Sequence, residues 1–244
     1  GSTATVRTVE KQEKTTAPPR LYDLTALQRD ANRLLGFTAQ QTLDYAQALY
    51  EKKLATYPRT DSRFLTEDMR ATAGSIVNWL QLHMPFSQGI HYTPDMAQVI
   101  DNAKVSDHHA IIPTMEVARA DLAALLSGER EVLHLIAVRV LCATAPTHTF
   151  ETVTVIIDCS GNTFTAKGKT VLRDGWKAID RAFRVTLKEK SKEEDSDASA
   201  ALPELAEEQS FSCIAASVRE GFTSPPKHFT EDSLLGAMES AGAE

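Results

Sequence analysis

The spacing of apolar residues changes regime once along this chain, at Pro146, and that change limits what the chain can fold into. A helix repeats its faces about every 3.6 residues and a strand every second residue, so a segment written in one period does not serve as the other. Before Pro146 the pattern is helical. Leu24, Leu27, Ala31, Leu34 and Leu35 predict a first helix, with Thr25 and Gln28 as a capping-box pair and Gly36 as its stop. Thr38 with Gln41 opens a second helix, which carries Leu43, Ala46 and Leu49. A third is expected from about Thr66 to His83, and a fourth from Gly128 to Ala143 with Val132, Leu135, Ile136 and Val140 inward. After Pro146 the residues Phe150, Val153, Val155 and Ile157 read as a strand, Ser160-Gly161-Asn162 as a turn, and Phe164 as part of the returning strand. Val171 to Trp176 and Phe211 to Val218 fit further strands. At the other end, Val6 and Val9 sit among charged residues up to Lys14, an edge-strand pattern that runs into Pro18-Pro19. The expected class is α+β, with a helical block inserted between β segments.

With 244 residues, 42% of them apolar, the chain can bury a substantial core. No apolar run approaches the ~18 residues that span a bilayer, and the N-terminus has no charged-then-apolar signal pattern. Gly1-Ser2 reads as a cloning remnant. Cys142, Cys159 and Cys213 are far apart and odd in number, which argues against a disulfide framework or a cysteine zinc site and for a reducing cytoplasm. The net charge of -7 is unusual for a partner of nucleic acid, but the stretch from Lys188 to Glu208 has eight acidic residues against three lysines. The rest is near neutral and can hold a local basic strip. Residues 191–201, acidic and rich in Ser and Ala, read as a solvated loop joining two strands.

The segment from Leu54 to Ser62 carries the most chemistry. Pro58 restricts Tyr57 to extended backbone, and in an extended segment Tyr57 and Arg59 face the same side. A phenol is a weak nucleophile until its ionised form is favoured, and a guanidinium supplies that field while gripping phosphate oxygens in a fork. The same spacing also suits a buried tyrosine beside a surface arginine. Ser62 fits either a role beside Arg59 or the N-cap of the next helix. Asp107-His108-His109 is the second candidate. Adjacent histidines project in different directions and no further ligands lie nearby, so a metal site is a poor reading. The same triplet marks a phosphoesterase family, whose additional aspartate motifs are absent. The two capped helices before Leu54 can be a helix-turn-helix unit or simply two packed helices.

Leu21 to Asn32 (LYDLTALQRDAN), Thr56 to Ser62 (TYPRTDS), Asp107 to Thr114 (DHHAIIPT) and Pro225 to Glu231 (PPKHFTE) resemble the ordered signature blocks of type IA DNA topoisomerases. The wording is closest to the topoisomerase III branch. The resemblance implies a helical domain carrying the active-site tyrosine, inserted in a β-rich arch. Residues 1–18 would be the first arch strand, 19–144 the helical domain, 145–218 the remaining arch, and 219–244 the start of a following domain. It implies an ATP-independent isomerase that cuts a single strand of DNA through a 5′-phosphotyrosine, passes another strand and religates. Tyr57 is then the nucleophile, Arg59 its catalytic partner, His108 a phosphate contact, and Thr60, Asp61 and Ser62 DNA-binding or orienting residues. It implies Mg²⁺ in the full-length enzyme, held by an acidic domain ahead of this region, with no metal bound by these residues. A monomer on single-stranded DNA in a bacterial cytoplasm, free of membrane and inactive as a fragment, completes the expectation. The alternative is a non-enzymatic helix-turn-helix-like DNA-binding module. A tyrosine recombinase lacks its Arg-His-x-x-Arg companion here.

Overall fold

The computed structural model describes residues 3–187, 201–215, 217–218 and 220–241. The helical reading before Pro146 gives α1 (Leu24–Leu35), α2 (Ala39–Glu51), α3 (Arg70–His83) and α4 (Ser127–Ala143). Thr38 and Gln41 form a reciprocal capping box on α2, and Gly36 ends α1 at φ 72°, a left-handed angle that glycine adopts without a Cβ penalty. The start of α1 departs from the expected Thr25 pair. Asp23 takes the extended N-cap conformation, and its carboxylate accepts the Ala26 N–H at 2.6 Å, which leaves Thr25 inside the first turn.

The larger departure follows Arg173. The sequence pattern runs a strand through Trp176, but Gly175 turns at φ 54° and Trp176–Leu187 is a helix, α5. Its buried residues are Ile179 and Phe183, four apart on one helical face. A sixth helix, α6 (Glu231–Ser240), is capped by Thr230 and buries none of its side chains.

The strands form one antiparallel sheet in the order β3-β2-β1-β4, from β1 (Thr3–Thr16), β2 (His148–Cys159), β3 (Asn162–Arg173) and β4 (Ser210–Ser212). Strand β1 pairs with β2 along nearly its whole length, with Val9 opposite Val155 and Thr16 opposite His148. β2 and β3 are joined by Ser160 and Gly161, both at positive φ, which is the two-residue hairpin whose twist matches that of the strands. β4 is shorter than the expected strand to Val218, and it pairs with β1 from Thr5 opposite Ser210 to Thr3 opposite Ser212. Residues 188–200 of the acidic stretch lie outside the described residues.

The chain forms two compact units, each assembled from three separate stretches. The sheet unit takes residues 1–16, 147–174 and 192–227; the helical unit takes 17–146, 175–191 and 228–244, so α5 and α6 group with α1 to α4. The helical core includes Leu27, Leu49, Leu80, Ile111, Leu135 and Ile136, all buried. Two close approaches fix α2 against α4. A Cβ on Gly128 would run into the Tyr45 ring, so a larger residue there requires that ring to shift. Beside it, Lys52 Nζ donates to the buried Glu129 carboxylate at 2.5 and 2.7 Å, and Glu129 also accepts the Leu126 N–H.

His134 on α4 faces the Phe86 ring edge-on at 5.9 Å. Burial lowers its pKa, the Arg130 charge lowers it further, and Glu131 opposes both. The unfolded chain therefore binds the His134 proton more readily than the folded one, and stability falls as pH drops through the ordinary histidine range near 6.5. Urea unfolding at pH 7.5 and 5.5 is expected to show this loss, and His134→Gln is expected to reduce it. An unchanged pH slope in the variant would assign the loss to other groups.

Candidate active site

The segment that follows α2 is placed by how α2 ends. Lys53 stands at φ 61°, its N–H donates to the Tyr50 carbonyl at 2.8 Å, and the Leu54 N–H reaches back to the Leu49 carbonyl at 2.8 Å. This is a Schellman motif with a lysine in the left-handed position, closed by the buried pair Leu49 and Leu54. It reverses the chain and brings Tyr57 back against the last turn of α2.

Short bridges then hold the segment. Ala55 pairs with Pro113, Tyr22 with Ile111 and Leu65 with Ile100. Thr56 donates its N–H to the Ile112 carbonyl at 2.9 Å, and its hydroxyl donates to the Ala110 carbonyl and accepts the Ile112 N–H. With Pro58 buried on the other side, the backbone around Tyr57 is fixed while the ring stays half-buried. The extended run stops there. The Thr60 N–H donates to the Pro58 carbonyl at 3.1 Å, a three-residue turn centred on Arg59, whose side chain is exposed. The strand-like alternation that would place Tyr57 and Arg59 on one side therefore does not extend to Arg59, which reaches solvent from the turn instead.

The structure brings Tyr57 and His108 together. Their ring centroids are 4.5 Å apart at an interplanar angle of 48°, and Tyr50 meets the Tyr57 ring edge-on at 5.4 Å and 75°. Thr60 explains the first contact: its buried hydroxyl donates to the His108 carbonyl at 2.9 Å, and its own carbonyl accepts the Leu24 N–H at 3.1 Å. Three sequence blocks thus converge on one threonine. Ser62 is also buried, and its hydroxyl lies 2.8 Å from the Lys104 carbonyl that it donates to. Both hydroxyls are spent on backbone carbonyls, which makes Thr60 and Ser62 scaffold for the segment. Nor is Ser62 a helix cap, since the next turn begins at Glu67. Asp61 is exposed and accepts from the Ser106 hydroxyl at 3.4 Å. His109 turns inward, its Nδ1 2.8 Å from the Ala110 carbonyl, while His108 is exposed. Tyr50 is the residue that sequence reasoning missed; its contact is set by the chain reversal at Lys53, which no spacing rule announces for a lysine.

Helix α6 bears on the helix-turn-helix alternative. Glu231 accepts the Ala39 N–H at 2.6 Å, and Asp232 pairs with Arg29 at 2.8 Å. The N-terminus of α2, the end a recognition helix offers to DNA, is thus occupied by a carboxylate of the same chain.

Among the described residues no three His, Cys, Asp or Glu side chains converge. The described residues do not fit a Mg²⁺ site.

The site is thus a half-buried tyrosine packed against a histidine, with an exposed arginine on the adjoining turn. The chain belongs to the DNA topoisomerase family, whose model matches residues 1–243. DNA topoisomerase 3 of Bacillus subtilis strain 168 is 40% identical over 249 residues, covering 100% of this chain and 33% of the relative. DNA topoisomerase 3 of Bacillus licheniformis is 42% identical over 250 residues with the same coverage. The solved full-length topoisomerase I from Thermotoga maritima shares the fold, with a TM-score of 0.73 and 22% identity over 99% of this chain and 38% of that one. The chain spans about a third of the length of these relatives.

Proposed function

We propose that these residues supply the nucleophile of a type IA DNA topoisomerase that opens and reseals one strand of DNA. The observation that carries the reading is the Tyr57–His108 ring contact at 4.5 Å, held by the Thr60 hydroxyl across two separate sequence blocks. The Tyr57 oxygen attacks phosphorus of a single-stranded segment. The O–P bond forms as the phenol gives up its proton, the bond to the 3′-oxygen breaks, and that oxygen takes one proton to leave as a 3′-hydroxyl, so the transfer is proton-neutral overall. Arg59, extended from its turn, faces the charge on the phosphoryl oxygens, and an exposed His108 donates to one of them. Because phenolate is a good leaving group, attack by the 3′-hydroxyl reverses the step without ATP. Thr60 and Ser62 hold the segment, and Asp61 lies at its solvent face. The enzyme acts as a monomer on DNA in the bacterial cytoplasm, with Mg²⁺ required by the complete active site. No described helix is long and apolar enough to cross a membrane.

The test is a quenched cleavage reaction on a single-stranded oligonucleotide, labelled at either end, with the full natural chain that contains these residues and Mg²⁺. The 3′-end label is expected to travel with the protein, the 5′-end label to be released, and the adducted peptide to contain Tyr57. An adduct on another tyrosine, or retention of the 5′-end label, would overturn the assignment. In parallel, the 244-residue chain alone is expected to give a far lower yield, since its described residues do not gather a metal site; efficient adducts from it would refute that dependence.

A further inference from the structure

The geometry points to Tyr50 as a positioning residue for the nucleophile, holding the Tyr57 ring in line for attack by an edge-on aromatic contact. This rests on Tyr57 being the nucleophile. The Tyr57 hydroxyl has no hydrogen-bond partner among the described residues, as expected of an oxygen that must approach phosphorus. Backbone bonds fix where the side chain begins, through Thr56 and Pro58, and leave its rotation to the packing around the ring. Two rings supply that packing, Tyr50 at 5.4 Å and 75° and His108 at 4.5 Å and 48°. An edge-on pair places the positive rim of one ring on the negative face of the other, a preference that favours one relative orientation. If His108 is also engaged with phosphate, Tyr50 is the neighbour free to act on the ring alone.

Tyr50 is well placed for this task and poorly placed for a purely structural one. It is 42% exposed, so it contributes little to the core. Its backbone, which accepts the Lys53 N–H in the Schellman motif, makes that bond whatever the side chain. The side chain is therefore separable from the turn that carries Tyr57 back. Loss of the Tyr50 ring widens the range of Tyr57 orientations and lowers the fraction in which oxygen, phosphorus and leaving group are aligned. Misplacement of a reacting group by about 1 Å costs up to roughly 100-fold in rate.

The experiment compares Tyr50→Phe, Tyr50→Leu and Tyr57→Phe in the full natural chain. Each is measured by single-turnover cleavage of a single-stranded oligonucleotide, by Kd for that oligonucleotide, and by thermal melting. Tyr50→Leu is expected to lower the cleavage rate constant by about 10- to 100-fold with Kd within about twofold, the signature of lost alignment. Tyr50→Phe keeps the ring edge and is expected to cleave within about twofold of the natural chain. The inference is overturned if Tyr50→Leu cleaves normally, if its deficit lies in Kd or is matched by a loss of folding, or if Tyr50→Phe is equally impaired. Tyr57→Phe separates the two levels: adducts that persist in that variant defeat the proposed function itself, whereas their loss beside a normal Tyr50→Leu defeats only the positioning role.

Discussion

Replacing Tyr57 by phenylalanine in the full natural chain is expected to abolish covalent adducts and lower DNA relaxation by roughly four to six orders of magnitude, the scale on which loss of a nucleophile is felt in covalent enzymes. The size of the effect follows from the chemistry, because no other oxygen on the segment can take over. The hydroxyls of Thr60 and Ser62 are buried and donate to the His108 and Lys104 carbonyls. Asp61 offers a carboxylate on the far side of the Arg59 turn. The phenyl ring of the variant would keep both ring contacts and the fixed backbone, so the change in stability is expected to stay within about 0.5 kcal/mol. Affinity for a single-stranded oligonucleotide is expected to persist, since the proposed phosphate contacts are Arg59 and His108. Relaxation of supercoiled DNA, adduct yield and Kd measured together check this. Adducts at an undiminished yield would transfer the chemistry to another residue, and a collapse of binding would make Tyr57 a DNA contact rather than the attacking group.

The parts of this arrangement that a linear reading reaches are those carried by short-range rules. Gly36 and the Thr38/Gln41 pair announce helix ends because the cap involves residues within one turn. The Ser160-Gly161 hairpin is visible because two consecutive residues adopt positive φ. Helix α5 is hidden by its approach. Val171 and Leu172 continue β3 up to Arg173, and a short apolar run does not declare its period until Ile179 and Phe183 are counted together. Within the site, the motif points to Tyr57 and Arg59, but their orientation depends on a turn at Arg59 that pattern rules treat as extended. The inward aim of Thr60 and Ser62 is equally hidden, because an irregular segment has no periodicity from which to read a face. The contact with Tyr50 is tertiary in origin even at a separation of seven residues, since it exists only because Lys53 reverses the chain.

Arg139→Met is expected to lower stability by about 2 kcal/mol at neutral pH, because the Arg139 and Asp30 side chains are 20% and 15% exposed and so lie between a surface bridge and a fully buried pair. Arg139 on α4 donates to the Asp30 carboxylate and to the Tyr22 hydroxyl, and its guanidinium lies 4.1 Å from the centre of the Tyr22 ring. Tyr22 in turn donates to Asp30 at 2.7 Å, and Arg33 reaches the other carboxylate oxygen at 2.5 Å. Burial pushes the Tyr22 phenol well above its usual range, which keeps it neutral and able to donate. Burial also pushes Asp30 upward, but the Arg139 charge and the Arg33 hydrogen bond outweigh it, and the carboxyl titrates below its ordinary value. A depressed carboxyl pKa means that the unfolded state binds the proton first. Its contribution is therefore present in full above about pH 4 and is lost as pH falls through the folded value. With methionine in place of Arg139, burial is opposed only by Arg33 and the Tyr22 hydrogen bond, so the acid transition is expected to move to higher pH as the midpoint in urea falls. Asp30→Asn combined with Arg139→Met is expected to cost less than the two single changes added together, by about 1 kcal/mol or more, because the double variant leaves neither member of the Arg139–Asp30 pair as a charge without the other. Additive losses, or a single-variant loss below about 1 kcal/mol, would show that the pair is no better than a surface bridge. The network also bears on the site, because the Tyr22 carbonyl accepts the Ile111 N–H at 2.8 Å, three residues beyond His108. Loosening α1 from α4 therefore acts on the segment that carries His108, and cleavage by Arg139→Met is expected to weaken at temperatures below its own melting transition.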